Sequence, residues 1–306
     1  MITTEFRDSR NSRRIRTNRP SVSLAHLAGV GIRASDLGLT DKNAVVKITT
    51  GADVDFEASL HVGVLNIIGD GKAKLVPGAA KLLFANDLTI APGGKLDLAD
   101  NDMIIQTADP AARDAMVNVI TALIRRARDK NAEGKLWQGT GITTSAASPL
   151  ITGLTGLAVV ANVKQVPNPN GPGMIDVPLT DTFSGLSVDM NCVLVTYTCN
   201  GDMNVNGVID ADDYYQIDTG FLAFFRSGGK TSYRWGDIDF NDHVNADDYY
   251  LVDSAFLQQK GVVMSAHAPA GGSAAPASGT AKAGVFHTAM RKGLAKVLHA
   301  NRGRKR

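Results

Sequence analysis

Apolar and polar residues alternate in three segments of the first hundred residues, and each segment has a turn-forming centre. The segments are VKITTGADVDF (46–56), LNIIGDGKAKL (65–75) and LTIAPGGKLDL (88–98), at offsets of 19 and 23 residues. Alternation with a period of two predicts short strands that bury one face, and Gly or Asp at each centre predicts a corner. The apolar positions superimpose in three sets: Val46, Leu65 and Leu88; Ile48, Ile67 and Ile90; Phe56, Leu75 and Leu98.

A strand–turn–strand repeat of about twenty residues favours a short β-solenoid, in which each coil covers the apolar face of the next. A plain antiparallel sandwich would show the same alternation and is the competing interpretation.

One helix is predicted over 110–130, inside this β region. Asp109 suits the N-cap position and Pro110 the first helical position. The apolar stripe of the helix consists of Met116, Ile120, Leu123 and Ala127. Its last turns carry four basic residues, Arg125, Arg126, Arg128 and Lys130. Positive charge suits the C-terminal end of a helix, and we expect these side chains on a solvated face.

An acidic phrase of fifteen residues occurs twice in the second half of the chain. GDMNVNGVIDADDYY begins at Gly201, and GDIDFNDHVNADDYY begins 35 residues later, at Gly236. Side-chain oxygens fall at positions 1, 3, 5, 9 and 12 of a twelve-residue loop, and the backbone carbonyl of position 7 is a further candidate ligand. The first loop places Asp202, Asn204, Asn206, Val208, Asp210 and Asp213 at these six positions. The second loop places Asp237, Asp239, Asn241, His243, Asn245 and Asp248 there.

This spacing is that of an EF-hand-type calcium loop. Calcium takes six to eight oxygen ligands, so a short loop must wrap nearly around the ion. We therefore predict two bound Ca²⁺ ions, one in each loop, and magnesium fits less well because it retains more water. Each ligand set carries three carboxylates, so the loops are expected to be ordered by metal and loose without it. The glycine at position 6 of the first loop is replaced by Asp242 in the second, which is expected to be the weaker site.

A loop followed by one helix, twice, resembles the type I dockerin domains, which are small calcium-dependent modules of secreted bacterial proteins. The matching stretches are GDMNVNGVIDADDYYQIDTGFL and GDIDFNDHVNADDYYLVDSAFL, within residues 201–258. The resemblance implies two loop–helix units related by a pseudo-two-fold axis, which dock through a helix face onto a cohesin-type partner. The region upstream, with LWQGTGITTSAA (136–147) and VLVTYTCNGD leading into the first loop, resembles bacterial surface proteins with autotransporter-type β-repeats. That resemblance implies export and surface display.

Two apolar stripes follow the loops at helical spacing. They consist of Tyr214, Ile217, Phe221 and Phe224, and of Tyr249, Val252, Phe256 and Leu257. We expect the two stripes to pack against each other as the core of the calcium-binding module.

The predicted fold class is mainly β, a short β-solenoid or sandwich with one helix, followed by a small α dockerin-like module with two EF-hand-type calcium loops. The predicted divisions are a disordered basic N-terminus (1–40), a β-repeat region (41–200), a dockerin-like calcium-binding module (201–258), an Ala/Gly/Ser/Pro linker (259–284) and a basic amphipathic tail (285–306). The tail has Phe286, Met290, Leu294 and Val297 on one side; it could lie on an anionic surface, bind a partner, or be frayed and merely soluble.

Charge is distributed unevenly along the chain, although the net charge is only +2. Residues 201–253 contain eleven Asp against three Lys or Arg, and no acid follows Asp253. No segment reaches the roughly 18 apolar residues of a membrane span. We expect an extracellular or cell-surface location, although no export signal is evident in this chain.

Two cysteines, Cys192 and Cys199, flank the apolar run VLVTYT. If that run is a strand, their Cα atoms lie roughly 23 Å apart, which is too far for a disulfide. Both thiols are therefore expected to be unpaired.

The sequence favours a non-enzymatic binding or structural protein over an enzyme. The six histidines show no metal-ligand spacing, and no G-x-S-x-G or P-loop motif is present. A cohesin-like or other surface protein, or a polysaccharide, is the expected partner. One alternative is a polysaccharide-associated enzyme that carries a dockerin. Another is binding of an anionic surface or nucleic acid through the basic ends, which the acidic middle and the lack of interleaved aromatics disfavour for nucleic acid.

Overall fold

A computed structural model describes residues 43–78, 81–129, 134–150, 152–227 and 231–259, together with the backbone of residues 21–24 and 30–32. The first strands are β1 (Ser21–Leu24), β2 (Val30–Ile32), β3 (Val45–Ile48), β4 (Asp53–Phe56), β5 (Leu60–His61), β6 (Val64–Ile67), β7 (Lys72–Leu75), β8 (Leu82–Ala85), β9 (Asp87–Ile90), β10 (Lys95–Asp97) and β11 (Asp102–Gln106). The later strands are β12 (Gly141–Thr143), β13 (Thr155–Ala161), β14 (Lys164–Pro167), β15 (Met174–Val177), β16 (Thr182–Phe183), β17 (Leu186–Ser187) and β18 (Cys192–Cys199). The helices are α1 (Pro110–Arg128), α2 (Ala211–Ser227) and α3 (Ala246–Gln258), with a 3₁₀ helix at Tyr233–Trp235.

The rest of the predicted N-terminal segment 1–40, and the linker and tail predicted at 259–284 and 285–306, lie outside the described residues apart from Gln259. Among the residues that are described, no helix is both long and apolar enough to cross a bilayer.

The three alternating segments pair in parallel, in the register that their apolar positions predict. In one sheet, ordered β1-β3-β6-β9, Val46 pairs with Leu65 and Leu65 with Leu88. In a second parallel sheet, ordered β12-β10-β7-β4-β2, Phe56 pairs with Leu75. The inward residues of these strands are buried because each rung, the unit of strand, corner and strand, covers the apolar face of the next.

The corner between β6 and β7 requires glycine. Gly69 has a φ of +61°, and a Cβ there would lie 2.2 Å from Oγ1 of Thr50 in the preceding rung. The neighbouring Asp70 accepts a 2.7 Å hydrogen bond from the amide of Gly51. Successive corners are thus stacked as closely as successive strands.

The third sheet, ordered β13-β18-β11-β8-β5, is mixed. Strands β5, β8 and β11 run parallel, whereas β18 pairs antiparallel with both β11 and β13. All eight residues of β18 are buried, and α1 packs against both β13 and β18. The strand predicted at VLVTYT is therefore present, and both of its flanking cysteines are free thiols in the interior.

The predicted fold class is wrong. The protein is mainly β with parallel and mixed sheets and, within its described residues, three α-helices. It is not a plain sandwich, because the repeats pair in parallel, and it is not a plain solenoid, because the third sheet turns antiparallel at β18. The separate small α module is not present either. Apolar residues of 201–258 join one hydrophobic core with those of the sheets, because the first loop continues directly from the buried strand β18.

The helix predicted over 110–130 is confirmed as α1. The carboxylate of Asp109 caps it by accepting a 2.8 Å hydrogen bond from the amide of Ala112. Ile120, Leu123 and Ala127 of the predicted stripe are buried.

Candidate metal-binding loops

Loop 1 (202–213) and loop 2 (237–248) are each numbered from position 1 to position 12, and both close through the acid at position 1. In loop 1, Asp202 accepts hydrogen bonds from the amides of positions 5 and 6, each 3.0 Å long. In loop 2, Asp237 accepts the equivalent bonds at 2.8 and 3.1 Å. Each acid thereby folds the first half of its loop around its own carboxylate.

The acid at position 12 closes the other half. Asp213 accepts from the amides of positions 2, 3 and 9 at 2.8, 3.3 and 3.0 Å. Asp248 accepts from the same three positions at 2.8, 3.3 and 2.9 Å. Asp213 and Asp248 lie in the first turns of α2 and α3, so the start of each helix fixes the position of the carboxylate.

The remaining predicted side-chain ligands also make matching bonds in the two loops. Asn204 and Asp239 accept from the amide of position 5, Asn206 and Asn241 from that of position 7, and Asp210 and Asn245 from that of position 11. Val208 and His243, whose carbonyls were predicted as ligands, occupy position 7. The two loops therefore share one hydrogen-bonding scheme at the five positions whose side chains the sequence singled out.

Both loops turn through left-handed backbone at positions 4 and 6. The φ values are +54° at Val205 and +90° at Gly207 in loop 1, and +64° at Phe240 and +68° at Asp242 in loop 2. A bulky residue adopts this conformation only when its surroundings require it. Val205 and Phe240 are buried, so burial of their side chains accompanies the bend.

Loop 1 is anchored to the β region and to the end of α3. The hydroxyl of Thr198, in β18, donates a 2.6 Å hydrogen bond to Asp202. The side chain of Gln259 bonds both the amide and the carbonyl of Ile209, at 2.8 and 3.0 Å.

Loop 2 is anchored to α1. Arg125 forms a 2.6 Å ion pair with Asp242 and donates from Nε to the carbonyl of Phe240. Arg128 donates a 2.9 Å hydrogen bond to the carbonyl of Asp239. The expectation that the basic end of α1 is a solvated face is therefore wrong, because loop 2 lies against it.

Burial of the loop carboxylates disfavours their charged form. The pKa of Asp213 and of Asp248 is raised to about 7, and that of Asp237 to about 6, chiefly by desolvation. Neighbouring loop acids add to the rise, and the amide donors oppose it. The pKa of Asp239 is also raised by burial, although the guanidinium of Arg128 opposes that rise.

The oxygens of loop 2 are close enough to share a cation. One carboxylate oxygen from each of Asp237, Asp239 and Asp248 lies within 4.8 Å of the other two. Calcium–oxygen distances of 2.3–2.6 Å place ligand oxygens up to about 5 Å apart, so this cluster fits the ion. Among the described residues, this is the group of three acidic side chains whose oxygens converge closely enough to hold one metal ion. In loop 1 position 3 is Asn204, so this loop offers carboxylates at positions 1, 9 and 12 and an amide oxygen at position 3.

Helices α2 and α3 exchange equivalent contacts. Tyr214 packs edge-to-face on Phe256, and Tyr249 packs edge-to-face on Phe221, with ring centroids 5.8 and 6.2 Å apart. The start of each helix thus meets the end of the other, so the two run antiparallel. Within the predicted stripes, however, Leu257 is 77% exposed and takes no part in this packing.

Each loop is also closed against the helix that follows the other loop. Gly201 precedes loop 1, and a Cβ there would lie 2.5 Å from Cγ2 of Val252 in α3. Gly236 precedes loop 2, and a Cβ there would lie 2.6 Å from Cγ1 of Ile217 in α2. Both glycines have left-handed φ values, +109° and +97°, so their conformation and the close approach both favour glycine.

Sequence reasoning missed the residues that hold the loops in place. Thr198 and Gln259 lie outside the twelve-residue pattern, and nothing in their spacing marks them. The basic end of α1 was visible as a cluster, and its charge opposite to that of the loops was the available signal for Arg125 and Arg128.

No protein-family model, curated protein or solved structure matches this chain.

Proposed function

We propose that this chain is a calcium-binding, non-enzymatic binding or structural protein whose two loops each hold one Ca²⁺. The observation that carries the proposal is the shared hydrogen-bonding scheme of the two loops, which presents oxygens at positions 1, 3, 5, 9 and 12 in both. All of the side-chain atoms that would contact the ion are oxygens, and hard divalent cations prefer oxygen ligands. The resemblance of these loops to those of type I dockerins supports calcium as the bound ion, and no dockerin fold is proposed.

Loop 2 offers the more direct support, because three of its carboxylates already lie within reach of one cation. Their raised pKa values mark a site in which negative charge is crowded and poorly solvated, and a bound divalent ion would relieve both costs. Loop 1 is proposed as the second site because its backbone follows the same course. Its acids at positions 1 and 12 are fully buried like those of loop 2.

The biological role proposed for this calcium-loaded protein is docking at the cell surface or outside the cell. A cohesin-like or other surface protein is the proposed partner class. Acid–base catalysis by the loop carboxylates is not proposed, because each carboxylate among the predicted ligands accepts at least one hydrogen bond from an amide of its own loop.

Calorimetric titration of the full chain with CaCl₂ tests the proposal. We expect two binding events in the wild type, one event in Asp213→Asn, one in Asp248→Asn and none in the double variant. Asp212→Asn and Asp247→Asn are the matched controls, since both acids are exposed neighbours at position 11, and both should retain two events. Titration with MgCl₂ should give much weaker binding. The absence of calcium heat at millimolar concentration in the wild type would refute the proposal.

A further inference from the structure

Loop 2 departs from loop 1 at position 6. Gly207 occupies the left-handed position of loop 1, whereas the same position of loop 2 holds Asp242 at a φ of +68°. An acidic residue at this position is costlier than glycine, and from the sequence alone it looks like a defect.

The side chain of Asp242 has a specific partner in α1. Its Oδ1 lies 2.6 Å from Nη2 of Arg125, and the two side chains are each 32% exposed. The hydrogen bond to Asp242 is also the largest contribution to a raised pKa of Arg125. Glycine could not make this contact, so the residue that strains the backbone also provides the attachment.

Arg125 and a second arginine of α1, Arg128, hold the backbone around Asp239, which is a proposed calcium ligand. Arg125 donates to the carbonyl of Phe240, and Arg128 donates to that of Asp239 at 2.9 Å. Three anchors therefore lie close together, at positions 3, 4 and 6 of loop 2. The carboxylate of Asp239, at position 3, belongs to the triad whose oxygens converge.

We propose that Arg125 is a positioning residue for loop 2: through Asp242 and the carbonyl of Phe240 it holds Asp239 where a calcium ion needs it. This inference rests on the proposed function, and it gives Asp242 the role of attaching loop 2 to α1. It makes ion binding in loop 2 dependent on α1, whereas loop 1 depends on β18 through Thr198. The guanidinium of Arg125 interacts electrostatically with the ligand Asp237, and its ion pair with Asp242, which is not a predicted ligand, offsets part of its repulsion of the ion.

The test measures calcium affinity of loop 2 alone, in full-length protein whose loop 1 is disabled by Asp202→Asn. In this background we expect Arg125→Ala to weaken calcium binding by about five- to tenfold, the range for loss of a half-exposed charged hydrogen-bonding pair. Arg125→Lys should be intermediate, because it keeps the charge and loses the bond from Nε. Asp242→Gly should weaken binding while Arg125 is present and have no further effect once Arg125 is Ala.

Two controls separate positioning from general stabilisation. Arg126→Ala removes a neighbouring guanidinium that bonds the carbonyls of Thr140 and Ala91 and not loop 2, and it should leave the affinity unchanged. In the complementary background, with loop 2 disabled by Asp237→Asn, Arg125→Ala should leave the affinity of loop 1 unchanged. Should the loop 1 variant fail to fold, Tb³⁺ luminescence excited through Trp235, two residues before Asp237, reports on loop 2 in the wild-type background.

An increase in loop 2 affinity on Asp242→Gly would overturn the inference, because Asp242 would then be only a source of strain. An unchanged affinity on Arg125→Ala would overturn it as well. Either result, together with normal calcium binding by the wild type, leaves the proposed function intact. Absence of calcium binding by the wild type removes both.

Discussion

The hydroxyl of Tyr214, in the first turn of α2, donates a 2.7 Å hydrogen bond to the carboxylate of Asp253 in α3. Thirty-five residues further along the chain, Tyr249 donates a 2.6 Å bond to Asp218 in the opposite direction. The two bonds join the helices at equivalent points, so the duplication in sequence is also a duplication of contacts. The phrase ADDYY is retained in both copies, and its first tyrosine is the one that makes the bond.

Removing either hydroxyl should destabilise the protein. We expect Tyr214→Phe and Tyr249→Phe each to lower the free energy of unfolding by about 1 kcal/mol, because each leaves a half-buried carboxylate short of a donor. Denaturant-induced unfolding with calcium present measures the change. Tyr215→Phe is the control, since Tyr215 is 70% exposed, and its stability should equal that of the wild type. Equal losses in Tyr214→Phe and Tyr215→Phe would contradict the role of the bond.

Alanine at Gly201 or Gly236 should be more damaging than strain alone explains. Each substitution forces a side chain into left-handed backbone and also against a branched residue of the opposite helix, so we expect a loss of about 2–4 kcal/mol. Gly173→Ala supplies the comparison, because Gly173 has a φ of +98° and no atom lies within 4 Å of the place that a Cβ would occupy. Its loss should be about 1 kcal/mol, the cost of the backbone conformation. Similar losses at all three glycines would rule out the close packing.

Stability without metal should fall as pH rises. The carboxyls of Asp213, Asp237 and Asp248 have folded-state pKa values of about 7, 6 and 7, above the value near 3.9 of an unfolded chain. Between about pH 4 and pH 7 the folded protein therefore binds more protons than the unfolded chain, and each rise in pH favours unfolding. In a chelator we expect the melting temperature to decrease over this interval and to level off above it.

Saturating calcium should remove most of that decrease, since the ion replaces the protons. The gain in melting temperature on adding calcium should consequently be larger at pH 8 than at pH 5. Asp213→Asn/Asp248→Asn imitates the protonated form of two of the three carboxyls, so its melting temperature in chelator should decrease less with pH than that of the wild type, with Asp237 as the source of the remaining decrease. A metal-free wild type that becomes more stable between pH 5 and pH 7 would contradict the pKa assignment.

Both cysteines should be unreactive in the folded protein. Burial raises the pKa of Cys192 to about 11 and that of Cys199 to about 12, so almost no thiolate is present near neutral pH. We expect a thiol reagent such as DTNB to label neither residue in native protein and both in denaturant. Rapid labelling of native protein at pH 8 would show that β18 opens readily.

The period-two pattern was sufficient to predict the rung register, because a slip of one residue would turn Val46 and its partners to the solvent. The position of α1 could be predicted for a similar reason, since Asp109 and Pro110 mark its start unambiguously. The mixed third sheet could not be predicted. Strand β18 is buried on both faces, and a continuous apolar run carries no information about the direction in which its neighbours run.

The loop positions could be predicted because ligand spacing is a local property of the chain. The anchors of the loops are not local: Arg125 lies 117 residues before Asp242 in the sequence. The prediction of a separate α module was wrong for the same reason. The sequence of 201–258 was sufficient to predict its helices, but it does not reveal that α3 packs against β18 or that loop 2 lies against α1.

The reciprocal closure of Gly201 by Val252 and of Gly236 by Ile217 has an evolutionary consequence. A larger side chain at Val252 or Ile217 would press on the glycine that precedes the loop of the other copy, so a substitution in one copy acts on both. A single half placed in another protein would lack the residue that packs against its glycine.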